Sequence, residues 1–165
     1  MFQFDPKGYL IPDRSIKATF EQFRDVFVDA MLDESRLVIF EYFRQTCGQI
    51  MEGFQLQEIN VWVDGSFATR KRTPNDLDLV VFMDAELVDQ RSDLLKTQFS
   101  HERLQALYRI DSYWVKVYPE NHTLYHATMA DKAYWYNLFT RTYRNRQGKS
   151  FKKGFLDLTI SSHEI

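Results

Sequence analysis

Residues 58–83 constrain the fold more than any other stretch of this chain. Apolar Ile59, Val61, Trp62 and Val63 run into Gly65-Ser66, and after nine further residues Asp76-Leu77-Asp78 opens a second apolar run, Leu79-Val80-Val81-Phe82. Two short apolar runs rich in β-branched residues, separated by turn formers, predict strands over 58–63 and 77–83. Side chains two apart on a strand share a face, so Asp76, Asp78, Val80 and Phe82 are expected to point one way. Leu77, Leu79, Val81 and Met83 then point the other way, beneath a helix. Two carboxylates roughly 7 Å apart on one face of an apolar strand repel each other and resist desolvation. A bound Mg2+ or Mn2+ removes that difficulty, since hard cations take carboxylate oxygens and share their coordination with substrate phosphates. Gly65 permits a sharp turn and a close approach of backbone to phosphate. Ser66 supplies a hydroxyl and is expected to cap a short helix through Ala68–Arg70, whose amides would face an anion.

A third acid follows the same pattern. In Arg109-Ile110-Asp111-Ser112-Tyr113-Trp114-Val115-Lys116-Val117-Tyr118, Asp111 shares a strand face with Tyr113, Val115 and Val117. A charge on an apolar strand face requires a partner, and a shared metal supplies one. The plainer alternatives are a solvated strand end or a pair with Arg109. Likewise, Gly-Ser alone is a common turn, and a lone Asp-x-Asp occurs at solvated strand entrances and in glycosyltransferases that use sugar nucleotides. The combination of strand, Gly-Ser, Asp-x-Asp and second strand is what points to phosphoryl chemistry.

With 165 residues and 44% hydrophobic side chains, the chain is about one domain and apolar enough to fold alone. Its net charge of −2 excludes a strongly basic nucleic-acid binder by composition while leaving local patches open. No apolar run approaches the roughly 18 residues that span a bilayer, and Met1-Phe2-Gln3-Phe4-Asp5-Pro6 lacks signal-peptide character. Cys47 is the single cysteine. Disulfides are thereby excluded, a cytoplasmic location is expected, and Cys47 reads as a buried helix residue.

The chain reads as a single domain over 1–165: a leader and helical hairpin through 53, then an α/β core over 54–165. Residues 5–14 suggest a turn and an extended segment docked on the body. A helix capped by Thr19 is predicted to about Ala30, with Phe20, Phe23, Phe27 and Met31 as a core stripe. A second helix fits Glu34–Met51, with Leu37, Phe40, Phe43 or Arg44, and Cys47 along one side and Gly53 ending it. Ala85–Leu107 reads as one broken helix or two, and Leu107–Tyr118 as a strand. A further helix fits Met129–Tyr143, and a last strand Phe155–Ile160. The implied fold class is α/β, a mixed sheet flanked by helices.

Strand, Gly-Ser turn and an Asp-x-Asp strand resemble the signature of the DNA polymerase β-like nucleotidyltransferase superfamily. That resemblance implies a nucleotidyltransferase core in which Asp76, Asp78 and Asp111 hold metal, and Asp111, as the third acid, activates the attacking hydroxyl. Gly65, Ser66, Arg70 and Lys153 would contact the nucleotide. Over nearly the whole chain, Gly8-Tyr9-Leu10-Ile11-Pro12, Trp62 to Thr69, Pro74-Asn75-Asp76-Leu77-Asp78, Tyr134-Trp135, Phe139, Arg141 and Lys153-Gly154-Phe155 are similar to a family of small bacterial nucleotidyltransferase-like proteins. Its members are uncharacterised and linked to toxin–antitoxin and phage-defence contexts. Processive relatives in the superfamily carry extra helical domains, for which this chain has no room. The acceptor is therefore expected to be small, held by a partner, or recognised by a dimer.

Arg70-Lys71-Arg72 lies between the Gly-Ser turn and the acids, where one cation would screen triphosphate and the others read as solvated charge. Arg141, Arg144, Arg146, Lys149, Lys152 and Lys153, interleaved with Tyr143 and Phe151, suit phosphate or RNA contact, or simply cap a helix end. His122 and His126 lack further zinc ligands. Two function classes follow. One is a transferase moving a nucleoside monophosphate from an NTP to a protein, RNA or small-molecule hydroxyl. The other is an antitoxin-like module that keeps the fold and binds a partner protein.

Overall fold

The computed structural model describes residues 2–165, so Met1, the first residue of the predicted leader, lies outside the described residues. In chain order the elements are β1 (Gln3–Phe4), β2 (Leu10–Ile11), β3 (Ser15–Ala18), α1 (Phe20–Phe27), α2 (Glu34–Phe54), β4 (Glu58–Asp64) and β5 (Leu77–Asp84). Then come α3 (Ala85–Gln90), α4 (Ser92–Gln98), α5 (His101–Tyr108), β6 (Ile110–Val117), α6 (Tyr125–Phe139) and β7 (Phe155–Ser161). Five strands form one mixed sheet in the order β3-β7-β4-β5-β6, and β1 and β2 form a separate antiparallel pair. Strand β4 runs antiparallel to both neighbours, whereas β5 and β6 are parallel and joined through α3–α5. Parallel neighbours need such a crossover. The fold is α/β, a mixed sheet flanked by helices.

The alternation in β4 and β5 decides which helices cover which face. Ile59, Val61, Val63, Leu77, Leu79, Val81 and Met83 are buried with Phe23, Phe40, Phe43 and Ile50 from α1 and α2 in the main core. Val80, Val115, Phe139 and Phe155 form a smaller cluster on the opposite face, with Trp62, Phe82, Tyr113 and Trp135 packed around it. Helix α6 lies over that second face. Its start is pinned where Thr128 Oγ1 donates to Lys116 O and accepts from Tyr118 N, both at 2.9 Å.

Several boundaries differ from the sequence expectation. Thr19 does cap α1, in a reciprocal capping box with Gln22. Helix α2, however, passes through Gly53 and ends at Gln55, whose φ of 57° provides the left-handed cap. Gly53 is instead a packing glycine: an added Cβ would lie 3.0 Å from Leu94 Cδ2 and 3.4 Å from Phe99. Leu37 is exposed and Arg36 is fully buried, so the inward face of α2 is rotated from the predicted one. Residues 85–108 make three short helices rather than one or two. Strand β6 starts at Ile110 because Arg109 caps α5 with φ 57°. Helix α6 starts and stops four residues earlier than predicted, freeing residues 140–143 for a hairpin closed by the Arg141–Lys152 bridge. Residues 5–14 hold a turn over 5–9 and the short strand β2, tied to the body where Gly154 N donates to Leu10 O, and just beyond them β3 adds an edge strand parallel to β7. No helix among the described residues is long and apolar enough to cross a membrane.

Candidate functional site

Register brings together what spacing along the chain could not. Asp64 at the end of β4 pairs with Asp78 of β5, and Asp78 pairs with Asp111 of β6. Residues paired across strands point to the same face, with neighbouring strands about 4.8 Å apart. Three carboxylates therefore stand in a row across three adjacent strands, on the face covered by α6. Asp76 precedes β5 instead of sharing its ladder, so the predicted strand geometry does not extend to it. Its charge still reaches Asp78.

Each acid has a different environment. Asp64 is buried and paired with Lys153, which is itself buried and also donates to Phe139 O at 3.1 Å. Burial raises the Asp64 pKa, and Lys153 opposes the rise. Asp78 is half-buried, and its pKa is pushed up to about 7, first by desolvation and then by the charges of Asp64, Asp111 and Asp76. Asp111 Oδ1 lies 3.0 Å from His101 Nδ1. That approach is not aligned as a hydrogen bond, and the buried oxygen has no hydrogen-bond partner among the described residues. Tyr113, two residues along the same face, has its phenol pushed up to about 12 by burial and then by Asp111.

The Gly65 turn faces these acids. Gly65 has φ 78°, and a Cβ there would collide with the Asp78 carboxylate, so glycine is required twice over. Residues 65–70 form consecutive turns and not the expected short helix; Ser66 O instead accepts from Thr69 Oγ1 at 2.8 Å. No helix N-terminus is therefore aimed at an anion from this loop. What shapes it is Arg36, which sequence reading passed over because an arginine in an amphipathic helix normally reads as surface. Its guanidinium donates to the carbonyls of Phe27 (2.8 Å), Phe67 (2.9 Å), Thr69 (2.8 Å) and Arg72 (3.2 Å), and also to that of Lys71. Arg109, rather than pairing with Asp111, donates to the carbonyls of Asn75 and Pro74 at the other end of the loop. Two arginines thus set the path between β4 and β5 through backbone acceptors.

A cleft of about 800 Å³ opens over this row and is lined by Asp64, Gly65, Ser66, Arg70, Asp78 and Lys153 among others. Of the residues expected to contact nucleotide, all four line it. Lys153 does so with its ammonium committed to Asp64. Arg70 does so with its guanidinium over the Phe4 ring, 4.6 Å from the centroid. Asp76 and Asp111 do not line the cleft proper, although Asp111 shares the ladder level of Asp78. His122 and His126 make local contacts: His122 Nδ1 accepts from Leu124 N, and His126 Nδ1 lies 2.9 Å from Thr123 O.

Residues 2–159 match a family model described as a family of unknown function, DUF6932. The chain belongs to the DUF6932 family. No curated protein matches the chain, and no solved structure does.

The residues present suit a divalent ion. Among the described residues no three His, Cys, Asp or Glu side chains are drawn together as a ready cage. Mg2+ does not need one, because it is typically held by one or two carboxylates with substrate phosphates and water completing its shell. Asp78 and Asp111 offer that donor set: two hard oxygen ligands on neighbouring strands, one carrying an unpartnered buried oxygen and the other destabilised by like charge.

Proposed function

We propose that this protein is a metal-dependent nucleotidyltransferase of polymerase β-like type. It would transfer a nucleoside monophosphate from an NTP to a hydroxyl of a protein, RNA or small-molecule acceptor and release pyrophosphate. The setting we propose is a cytoplasmic toxin–antitoxin or phage-defence system. The observation that carries the reading is the row Asp64, Asp78 and Asp111, of which Asp64 and Asp78 line a cleft together with the Gly65-Ser66 turn, while Asp111 pairs in register with Asp78 beside it.

Asp78 and Asp111, with Asp76 adding negative charge, would hold Mg2+ or Mn2+, which when bound would neutralise the carboxylates and the triphosphate. The chain's own residues do the rest. Gly65 lets the turn pass close against the Asp78 carboxylate, and Ser66 would offer a hydroxyl to a phosphate oxygen. Arg70 and Lys71 set positive charge along the β and γ phosphates. Asp111 holds the acceptor hydroxyl and takes its proton as the hydroxyl oxygen bonds to the α-phosphorus and the bond to pyrophosphate breaks. Lys153 keeps Asp64 from repelling the incoming phosphates.

The same ion pair supports a second reading. With Asp64 already neutralised by a lysine, the fold tolerates part of its acid row without a ligand. An antitoxin-like binding module of weak activity would look this way. The deciding experiment incubates the protein with each α-labelled NTP, Mg2+ and a cell lysate, in wild type and Asp111→Asn. A transferase labels an acceptor, and the variant labels about 100-fold less while still binding NTP. Equal inactivity of both proteins with all NTPs sinks the transferase reading.

A further inference from the structure

Charge in the cleft exceeds what a nucleotide alone requires. Six Lys or Arg side chains line it against two Asp, in a chain whose net charge is −2. Lys153 is spent on Asp64. Lys7, Arg70, Lys71, Arg141 and Arg144 make no ion pair among the described residues. Two of them instead lie over aromatic rings, Lys7 over Phe151 and Arg70 over Phe4, which orients them and leaves their charge uncancelled. An NTP carries roughly four negative charges and its divalent ion cancels about two, so about two cations would balance it. Lys7, Arg141 and Arg144 are then in excess of that need.

These cations come from three segments that meet only in the fold: the leader, the loop after β4, and the hairpin that follows α6. Arg70 N donates to Gly8 O at 2.9 Å, which holds the leader against the loop. Thr142 N donates to Phe151 O at 2.8 Å, and Asn145 Oδ1 accepts from Gln147 N and Lys149 N, so the hairpin is built. Aromatic rings stand among the cations in the same cleft. Tyr134 is 62% exposed and Tyr143 is 79% exposed, and Tyr9 stacks on Phe151 with centroids 6.2 Å apart. Cations spaced along a groove with outward-facing tyrosines are what a single strand needs, phosphates on the cations and bases on the rings. A small-molecule acceptor would leave most of this surface idle, and a duplex could not present its base faces to Tyr134 and Tyr143.

We infer that the cleft binds a single-stranded nucleic acid, whose backbone follows Lys7, Arg141 and Arg144, with Arg70 and Lys71 left to the NTP phosphates when a nucleotide is bound, and whose bases stack on Tyr134 and Tyr143. Its role as the acceptor rests on the transferase reading above, whereas its binding does not. The Tyr143 phenol lies near the acid row: desolvation and the charges of Asp78, Asp111 and Asp64 raise its pKa, although most of the ring is in solvent. Tyr143 lines the same cleft as Asp64 and Asp78, so a strand stacked on it would share the cleft with those two acids.

The test uses fluorescence anisotropy with the full chain in EDTA and without NTP, so that no catalysis is required. The probes are a labelled 12-nucleotide single-stranded RNA, the same sequence as DNA, a 12-base-pair duplex, and inorganic polyphosphate as competitor. Single strands should bind more tightly than duplex, with log K falling against log salt at a slope of about −2 to −4, as for three to five phosphate contacts. The RNA and DNA arms identify which strand is preferred. Arg141→Ala/Arg144→Ala should weaken every oligonucleotide and flatten the slope by about 1.4. Tyr143→Ala should weaken single strands at least about fivefold, the loss of one stacked base, and leave polyphosphate competition unchanged. Lys17→Ala, at a residue paired with Asp157 and outside the cleft, should change nothing. Absence of oligonucleotide binding overturns the inference, as does preference for duplex, or indifference of single strands to Tyr143→Ala. Strand binding without transfer from any NTP would overturn the transferase reading and leave this one standing. Transfer to some other acceptor by a protein that binds no strand would do the reverse.

Discussion

Replacing Asp78 by Asn should stabilise the protein at alkaline pH, and the size of the gain follows from the site. The Asp78 pKa rises from 3.8 to about 7 in the fold. A shift of about three units, at 1.36 kcal/mol each, puts a ceiling of about 4 kcal/mol on the cost of ionising Asp78 in the folded state. Relaxation, water entry and the coupled response of Asp64 reduce this, and about 2 kcal/mol is the expected effect. The sign follows from linkage. Between pH 3.8 and 7 the folded state binds the Asp78 proton more tightly than the unfolded chain does, so stability falls as pH rises across that window. Above about pH 7 the full penalty is present. Asn keeps the shape of the protonated acid against Gly65 and never ionises. In EDTA, urea denaturation of both proteins should therefore give nearly equal stabilities near pH 4. The variant should gain steadily up to about pH 7 and hold a plateau above it. At pH 8 the gain corresponds to a Tm about 4–8 °C higher for a domain of this size. A variant less stable than wild type at pH 8, or a difference that ignores pH, would refute the crowded-acid reasoning.

Other perturbations probe the same architecture. Mg2+ or Mn2+ should raise the wild-type Tm at pH 8 by relieving the repulsion and binding only the folded state, and Asp78→Asn should abolish the shift in differential scanning fluorimetry. Arg36→Met should lose about 3–5 kcal/mol in urea denaturation, because it strands the carbonyls of Phe27, Phe67 and Thr69; a loss below about 1 kcal/mol would mean the clamp is dispensable. Gly65→Ala should displace the Asp78 carboxylate and strain a residue at φ 78°, lowering metal-induced stabilisation more than it lowers the metal-free Tm. An Ala variant with an undiminished metal shift would show that Asp78 is not held against this turn.

Much of the fold was legible along the chain, and the errors share a cause. Strands β4, β5 and β7 lie within a residue of their predicted limits, because alternation of apolar residues is a local property of one strand. The placing of Asp78 and Asp111 on the same face as Val80 and Val115 came from the same two-residue period. Gly53, by contrast, looked like a helix stop and serves as a packing site for Leu94 and Phe99. Leu37 reads as inward by hydrophobicity, whereas the carbonyl acceptors of Phe27, Phe67 and Thr69 draw Arg36 inward in its place.

Composition and local period by themselves determined that the chain folds as a mixed α/β sheet flanked by helices, where its central strands run, and which face of each strand carries an acid. Only the tertiary structure decided that Asp64 joins the row, that Lys153 reaches it across 89 residues, and that Arg36 shapes the turn between β4 and β5. It also decided that the leader and the last hairpin bring their cations to one cleft. Side-chain direction along a strand or helix follows from backbone geometry a few residues at a time. Strand register and the pairing of buried charges are instead settled by every element competing at once for burial and hydrogen-bond partners.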